Sequence, residues 1–338
     1  MSAKRTCARF PAALAAMFLL GSGACSDRAS DKPQASDAAG KGQVPPVRAG
    51  DGLPRDEAGW QELMSHRNPL VGEPFSEIGG FVPGETDRQN RYRATVLVRT
   101  HLPSATPSER TCSGVLVGTR LVLTAGSCVC SGRKQPALGG GEQTLIDATS
   151  CAKTGAVTTT SYEPPTATES GLRAMIDTIA GEIRPHPALK VVLDEQGNIV
   201  SSEADLAVIE VETDGPLLDS FPPVEMAETE LRTNESLLMV SYGNGETVKA
   251  IEVRRFGRHH VTKLLDGGAR ALFDQPMRKF YMGHSGAPMM RETGQGVGLA
   301  GIVSRGLGTE ASFTSIFHYR DWIRQEIHRA ASASPSPR

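Results

Sequence analysis

Residues 112–128 read Cys112-Ser-Gly-Val-Leu-Val-Gly-Thr-Arg-Leu-Val-Leu-Thr-Ala-Gly-Ser-Cys128. Two apolar runs, Gly114 to Val117 and Leu121 to Thr124, lie between half-cystine candidates and are split by Gly and polar residues. Short apolar or β-branched runs bounded in this way are strands. Outward from this stretch the pattern repeats. Ala94-Thr-Val-Leu-Val98, Leu206-Ala-Val-Ile209 and Leu237-Leu-Met-Val240 are similarly short and have the same polar or Gly borders. Many short strands in one large domain point to barrels or a sandwich. The 36 Gly and 22 Pro fit a turn-rich β protein. One segment changes period: in Tyr319 to His328, Tyr319, Trp322, Ile323 and Ile327 fall on one helical face.

The ends are of a different kind. Lys4, Arg5 and Arg9 precede the apolar stretch Phe10 to Gly21, which reads as an export signal. Gly21-Ser-Gly-Ala-Cys25 then resembles a lipoprotein cleavage site with Cys25 as the lipidated residue, although Ser22 stands where such sites usually carry Leu. A lipid on Cys25 would anchor the chain to a membrane face without a spanning helix. The expected localisation is export, either as a periplasmic membrane-anchored lipoprotein or as a secreted protein. Ser26 to about Gly50 has no apolar periodicity and reads as a tether. The tether continues through a transitional stretch to Ser76, with Trp60, Leu63 and Met64 as possible anchors, and Ala331 to Arg338 is a Ser/Pro tail. The folded domain is placed at 77–330. A formal net charge of -2 gives no field for nucleic acid or an anionic membrane.

Six Cys are present; Cys7 lies in the signal and Cys25 is the lipidation candidate. Cys112, Cys128, Cys130 and Cys151 remain, and in an exported chain they suggest two disulfides, with three possible pairings. Zinc is disfavoured because no His lies between Cys112 and Cys151. No metal and no cofactor is expected.

Three segments then resemble the trypsin-like serine peptidases of the chymotrypsin fold. The first is the opening stretch, which matches a half-cystine, two strands and Thr-Ala-Gly/Ala-His-Cys. The second is Glu203-Ala-Asp-Leu-Ala-Val-Ile209, similar to the segment with the triad aspartate. The third is Gly283-His-Ser-Gly-Ala-Pro288, similar to the nucleophile segment. Ala300-Gly-Ile-Val-Ser-Arg-Gly306 resembles the strand lining the substrate cleft, and Thr314 to Ile323 the closing strand and helix.

The resemblance covers about three quarters of the chain, roughly Ile78 to Ala330. It implies an all-β fold of two six-stranded antiparallel barrels with a C-terminal helix. The first barrel would run from Ile78 to Glu203, with Asp205 at the junction. It also implies a Cys112–Cys128 disulfide, in which case Cys130 and Cys151 are left to each other.

By position, Ser285 matches the nucleophile and Asp205 the orienting acid, while the N–H groups of Gly283 and Ser285 match the oxyanion hole. Ser304 and Gly306 fall on the cleft strand. Lys279 falls at the pocket base, where it would favour acidic side chains or reach solvent. The departure is Ser127, which stands where the family has its general-base histidine. A hydroxyl cannot take the nucleophile's proton as imidazole does. Losing that base removes about four to six orders of magnitude in turnover.

No other histidine fits the vacancy. His284 precedes Ser285 at a position that faces away from the cleft in the family. His186 lies in a His-Pro turn and reads as structural. His259 and His260 lie in a strand-like or loop stretch, and His101, His318 and His328 read as surface residues. The family's activation device, a new N-terminal amine paired with the Asp before the serine, is altered at both ends. Glu77-Ile-Gly-Gly80 is only loosely similar to its start, and the Asp is His284. The sequence therefore predicts a peptidase homologue, probable partner a peptide or protein, that binds rather than cleaves and works as a monomer. The alternative is an active serine endopeptidase with an unorthodox base.

Overall fold

The computed structural model describes residues 85–102, 108–137, 139–163, 173–211, 221–243, 253–274, 284–294, 296–304 and 311–332. Expectations on the export signal, Cys25, the tether, Lys279, Gly283, Gly306 and residues 333–338 of the C-terminal tail fall outside these residues, while Ala331 and Ser332, placed in the tail, continue the last helix.

The described residues open with a two-residue strand, β1 (Glu85–Thr86). Next come β2 (Thr95–His101), β3 (Glu109–Gly118) and β4 (Leu121–Thr124), then a single helical turn α1 (Gly126–Val129). Strands β5 (Cys130–Pro136), β6 (Glu142–Cys151), β7 (Thr154–Glu163) and β8 (Arg173–Pro185) follow. After them come β9 (Lys190–Leu193), β10 (Ile199–Glu203) and β11 (Ala207–Val211). The second half holds β12 (Ser236–Ser241), β13 (Arg255–Leu265) and β14 (Arg270–Phe273). It continues with β15 (Pro288–Thr293), β16 (Gly296–Val303) and β17 (Ala311–Ser315), and ends in the helix α2 (Arg320–Ser332).

Strands β11-β4-β3-β2-β7-β8 close into one antiparallel barrel. Strands β13-β12-β15-β16-β17-β14 form the second, closed by the β13–β14 pairing, with β1 added on the outer edge of β13. The two-barrel architecture with one long C-terminal helix is therefore as predicted. The barrel boundary is not. β11, which follows Asp205, closes the first barrel by pairing Ala207 with both Thr124 of β4 and Pro185 of β8. All five of its residues are buried. A strand covered on both faces needs a continuous apolar run, and Leu206 to Ile209 supplies it.

A four-stranded sheet, β10-β9-β6-β5, stands apart from both barrels. The sequence does not announce it, because β5 and β10 carry no apolar period. Its chain enters at Cys130, just after α1, and returns at Glu203, just before Asp205. The disulfides Cys112–Cys128 and Cys130–Cys151 are both formed. The first ties β3 to α1; the second ties the start of β5 to the end of β6.

Helix α2 buries Ile323 and Ala330, while Trp322 and Ile327 pack beside the core with Tyr319 just ahead of the helix. Its outer face is fastened to the first barrel by charge. Arg329 bridges Glu210 at 2.7 Å and Glu326 at 2.7 Å, and Arg184 joins Glu326 at 3.2 Å and also Glu210.

The barrels are joined by a buried clasp. Arg254 and Asp87 form an ion pair at 2.9 Å, with both side chains at 0% exposure. The guanidinium also donates to Thr160 O at 2.8 Å, Tyr242 Oη at 3.2 Å and Asn90 Oδ1 at 3.2 Å. Asp87 accepts the backbone N–H groups of Arg91 and Tyr92. A charge pair out of water holds only when its remaining donors and acceptors are satisfied, and here they are. The clasp gathers the entry segment, β7 of the first barrel and the stretch leading into β13 of the second.

Candidate functional site

Ser127 sits in α1, held from both sides. Ahead of it, a Cβ on Gly126 would lie 2.6 Å from Leu189 Cδ1 and 3.1 Å from Leu206 O, so a side chain there would push Leu189 aside. Behind it, the Cys128 carbonyl accepts Thr100 Oγ1 at 2.8 Å. Arg110 donates to the carbonyl of Ser127 itself at 3.2 Å.

Asp205 is fixed by an unusual backbone. Ala204 adopts φ +46°, the left-handed region that costs a residue with a Cβ about 1–2 kcal/mol. The Ala204 N–H donates to Tyr319 Oη at 3.1 Å, so the closing segment of the second barrel steadies the acid. His186 N–H donates to Leu206 O at 2.9 Å on the other side. The carboxylate is fully buried at 0% exposure. Its Oδ1 accepts the Ser127 N–H at 2.7 Å, and its Oδ2 accepts the Ser127 hydroxyl at 3.1 Å. Ser127 and Asp205, paired on sequence grounds alone, are thus in direct contact.

Ser285 lies in a turn between the barrels. Gly286 has φ +79°, and a Cβ there would fall 2.1 Å from Ser113 O and 2.3 Å from Thr124 Oγ1. No residue but glycine can occupy that place. Ser113 N–H donates to Ser285 O at 2.8 Å, Gly286 N–H to Val303 O at 2.8 Å, and Ala287 N–H to His284 O at 3.0 Å. Ser113, whose hydroxyl accepts the Tyr242 N–H at 2.9 Å, therefore links β3 to the turn and to β12's end. Ser285 is half-buried. Both hydrogen bonds named above for the Asp205 carboxylate come from Ser127 rather than from an imidazole.

The histidines among the described residues have other surroundings. His186 packs edge-on against Tyr319 and Trp322, with centroids at 5.3 and 4.6 Å, and burial lowers its pKa. Its Nδ1 accepts the Ala188 N–H at 3.1 Å, the structural turn foreseen. His259 and His260 lie on β13 and both engage Asp274. His318 and His328 are exposed, and His101 ends β2. His284 is buried, its Nδ1 2.8 Å from Ser241 Oγ, and burial followed by the nearby His259 pushes its pKa down to about 4. Ser304 is fully buried and shares a hydrogen bond with Thr314 at 3.2 Å. Among the described residues, no group of three or more His, Cys, Asp or Glu side chains could hold a metal.

Comparison with known proteins places the chain. A family model described as a trypsin-like peptidase domain matches residues 112–299. That is more than half of the chain, which belongs to this family. Among solved structures, one titled "Structure of GrC" is similar over 73% of this chain and 100% of that one, with 14% identity and TM-score 0.51. A mutant of human heparin binding protein (CAP37) is similar over 76% of this chain and 100% of that one, at 17% identity and TM-score 0.48. A scabies mite inactivated protease paralogue covers 73% of this chain and 99% of its own, at 19% and TM-score 0.46. No curated protein matches the sequence.

Proposed function

We propose that this domain is a trypsin-like peptidase homologue that binds an extended peptide or protein segment in its cleft and hydrolyses it little or not at all. The fold supports a serine-protease type of function. The finer reading rests on one observation: two donors of Ser127 occupy the two oxygens of Asp205. A triad works because the acid holds an imidazole whose far nitrogen takes the nucleophile's proton. Here the acid holds a hydroxyl that gives its own proton to the carboxylate. Ser285 is left without a base, and stabilisation from binding and the oxyanion site alone is worth about 10³–10⁴-fold over water.

Within this reading Ser285 and Gly283 would frame the carbonyl of a bound segment, with Ser304 and Gly306 beside it. Lys279 would favour an acidic side chain in the pocket. The intact turn around Ser285 favours a second reading, an endopeptidase whose base comes from elsewhere, for instance from the bound segment. The partner is a peptide or protein in either case. Two disulfides are consistent with export, and a lipid on Cys25 would hold the domain at a membrane face. Among the described residues no helix is long and apolar enough to cross a membrane.

The deciding experiment exposes the purified chain to a fluorophosphonate probe and to casein. Little Ser285 labelling and no casein cleavage are expected. Strong labelling that vanishes in Ser285→Ala would defeat the silent reading in favour of the second.

A further inference from the structure

His284 adjoins Ser285, yet the chemistry proposed above does not use it. Its side chain is turned into the second barrel and is 4% exposed. Nδ1 lies 2.8 Å from the hydroxyl of Ser241, the last residue of β12. The ring lies against Gly243, where a Cβ would come within 2.5 Å of both Cε1 and Nε2. Glycine at 243 thus makes room for the imidazole. The backbone of His284 works in the same turn, since its carbonyl closes the turn by accepting the Ala287 N–H.

The groups around the ring are informative. From the β12 side come Ser241 and Gly243, both uncharged. From β13 comes His259, the titratable neighbour that acts on it, whose Nδ1 is already engaged with Asp274 O at 2.8 Å. A carboxylate in this place would need a buried cation beside it. A neutral imidazole needs only a hydrogen-bond partner, and Ser241 provides one.

We propose that Ser241 is a positioning residue for the Ser285 turn: through His284 it seats the turn in the uncut chain, with no N-terminal ammonium required. The proposal concerns whether the turn is formed, so it stands or falls separately from whether the cleft hydrolyses peptides.

Amide hydrogen exchange of the full chain tests it. The segment after His284, through Met290, is expected to be protected in the uncut chain and no better protected after trimming to Ile78. Ser241→Ala is expected to speed exchange there by about tenfold, the loss of one buried hydrogen bond, while β2 and β4 stay unchanged. Ser241→Thr, which keeps the hydroxyl, is expected to restore protection. Lowering the pH toward 4 should loosen the same segment in the parent chain. It should not do so in His284→Gln, whose amide bonds Ser241 at any pH. Protection that appears only after trimming would overturn the proposal. So would an unchanged segment in Ser241→Ala, or equal loosening of every strand.

Discussion

Ser127, in α1, and Ser241, at the end of β12, are both buried serines, and the hydroxyl of each is hydrogen-bonded to the side chain of a residue bordering the site. Ser127 serves a carboxylate, Asp205; Ser241 serves an imidazole, His284. The resemblance to active peptidases implies the opposite distribution, with an imidazole beside Asp205 and a carboxylate just before Ser285. The two pairs solve different problems. A buried carboxylate can stay charged only where several donors reach it. Ser127 gives it two, from backbone and side chain. A buried imidazole can shed its proton and carry no charge. On the proposed reading, the first pair leaves the site without its base, and the second lets the turn do without a countercharge.

The sharpest way to break the comparison is to return the imidazole. Ser127→His should raise kcat/KM on a peptide ester by about 10³-fold or more if only the base is missing. No gain in a steady-state assay would mean that the cleft around Ser285 has also been reshaped. The next effect contrasts both pairs with the Asp87–Arg254 clasp, which is charged on both sides. Asp87→Ala strands a buried guanidinium and should cost about 3–5 kcal/mol in urea unfolding. A loss below about 1 kcal/mol would show that water reaches Arg254.

The third effect is pH dependence. His284 has its pKa lowered from 6.5 to about 4 in the folded chain, so the unfolded chain binds more protons between those values. Its contribution to stability is complete above pH 6.5 and is lost as the pH falls toward about 4. It amounts to about 3 kcal/mol, judged from the shift. The difference in unfolding free energy between the parent and His284→Gln should narrow across that window; a constant difference would mean that His284 is not buried neutral. The smallest effect is expected from Tyr319→Phe, which removes the acceptor for Ala204 N–H. A loss of about 1 kcal/mol in thermal unfolding is expected, and a neutral result would show that Ala204 holds its left-handed turn unaided.

Much of this arrangement was legible in the sequence, and the reason is local. The strands around Cys112 to Cys128 announce themselves by apolar runs between Gly and polar borders, and they fall where they were placed. The contact between Ser127 and Asp205 followed from two motifs far apart in the chain. The inward turn of His284 was anticipated, but its partner was not, because nothing in the run Leu237 to Ser241 marks its last hydroxyl. The accessory sheet was missed since strands such as Ile199–Glu203 are mostly exposed and carry no apolar period. The clasp was missed for a related reason. An Arg in Val253-Arg-Arg255 and an Asp in Thr86-Asp-Arg88 look like surface charges until the fold removes water from both.

The clasp also has a meaning in time. Asp87 and Arg254 are 167 residues apart in the chain. The first described strand can be fastened only after the strands of the whole first barrel have been made and the second has begun. Folds dominated by such distant pairings form in about milliseconds to seconds, rather than microseconds. The clasp can therefore fasten the entry segment only once the contributing segments of both barrels are in place.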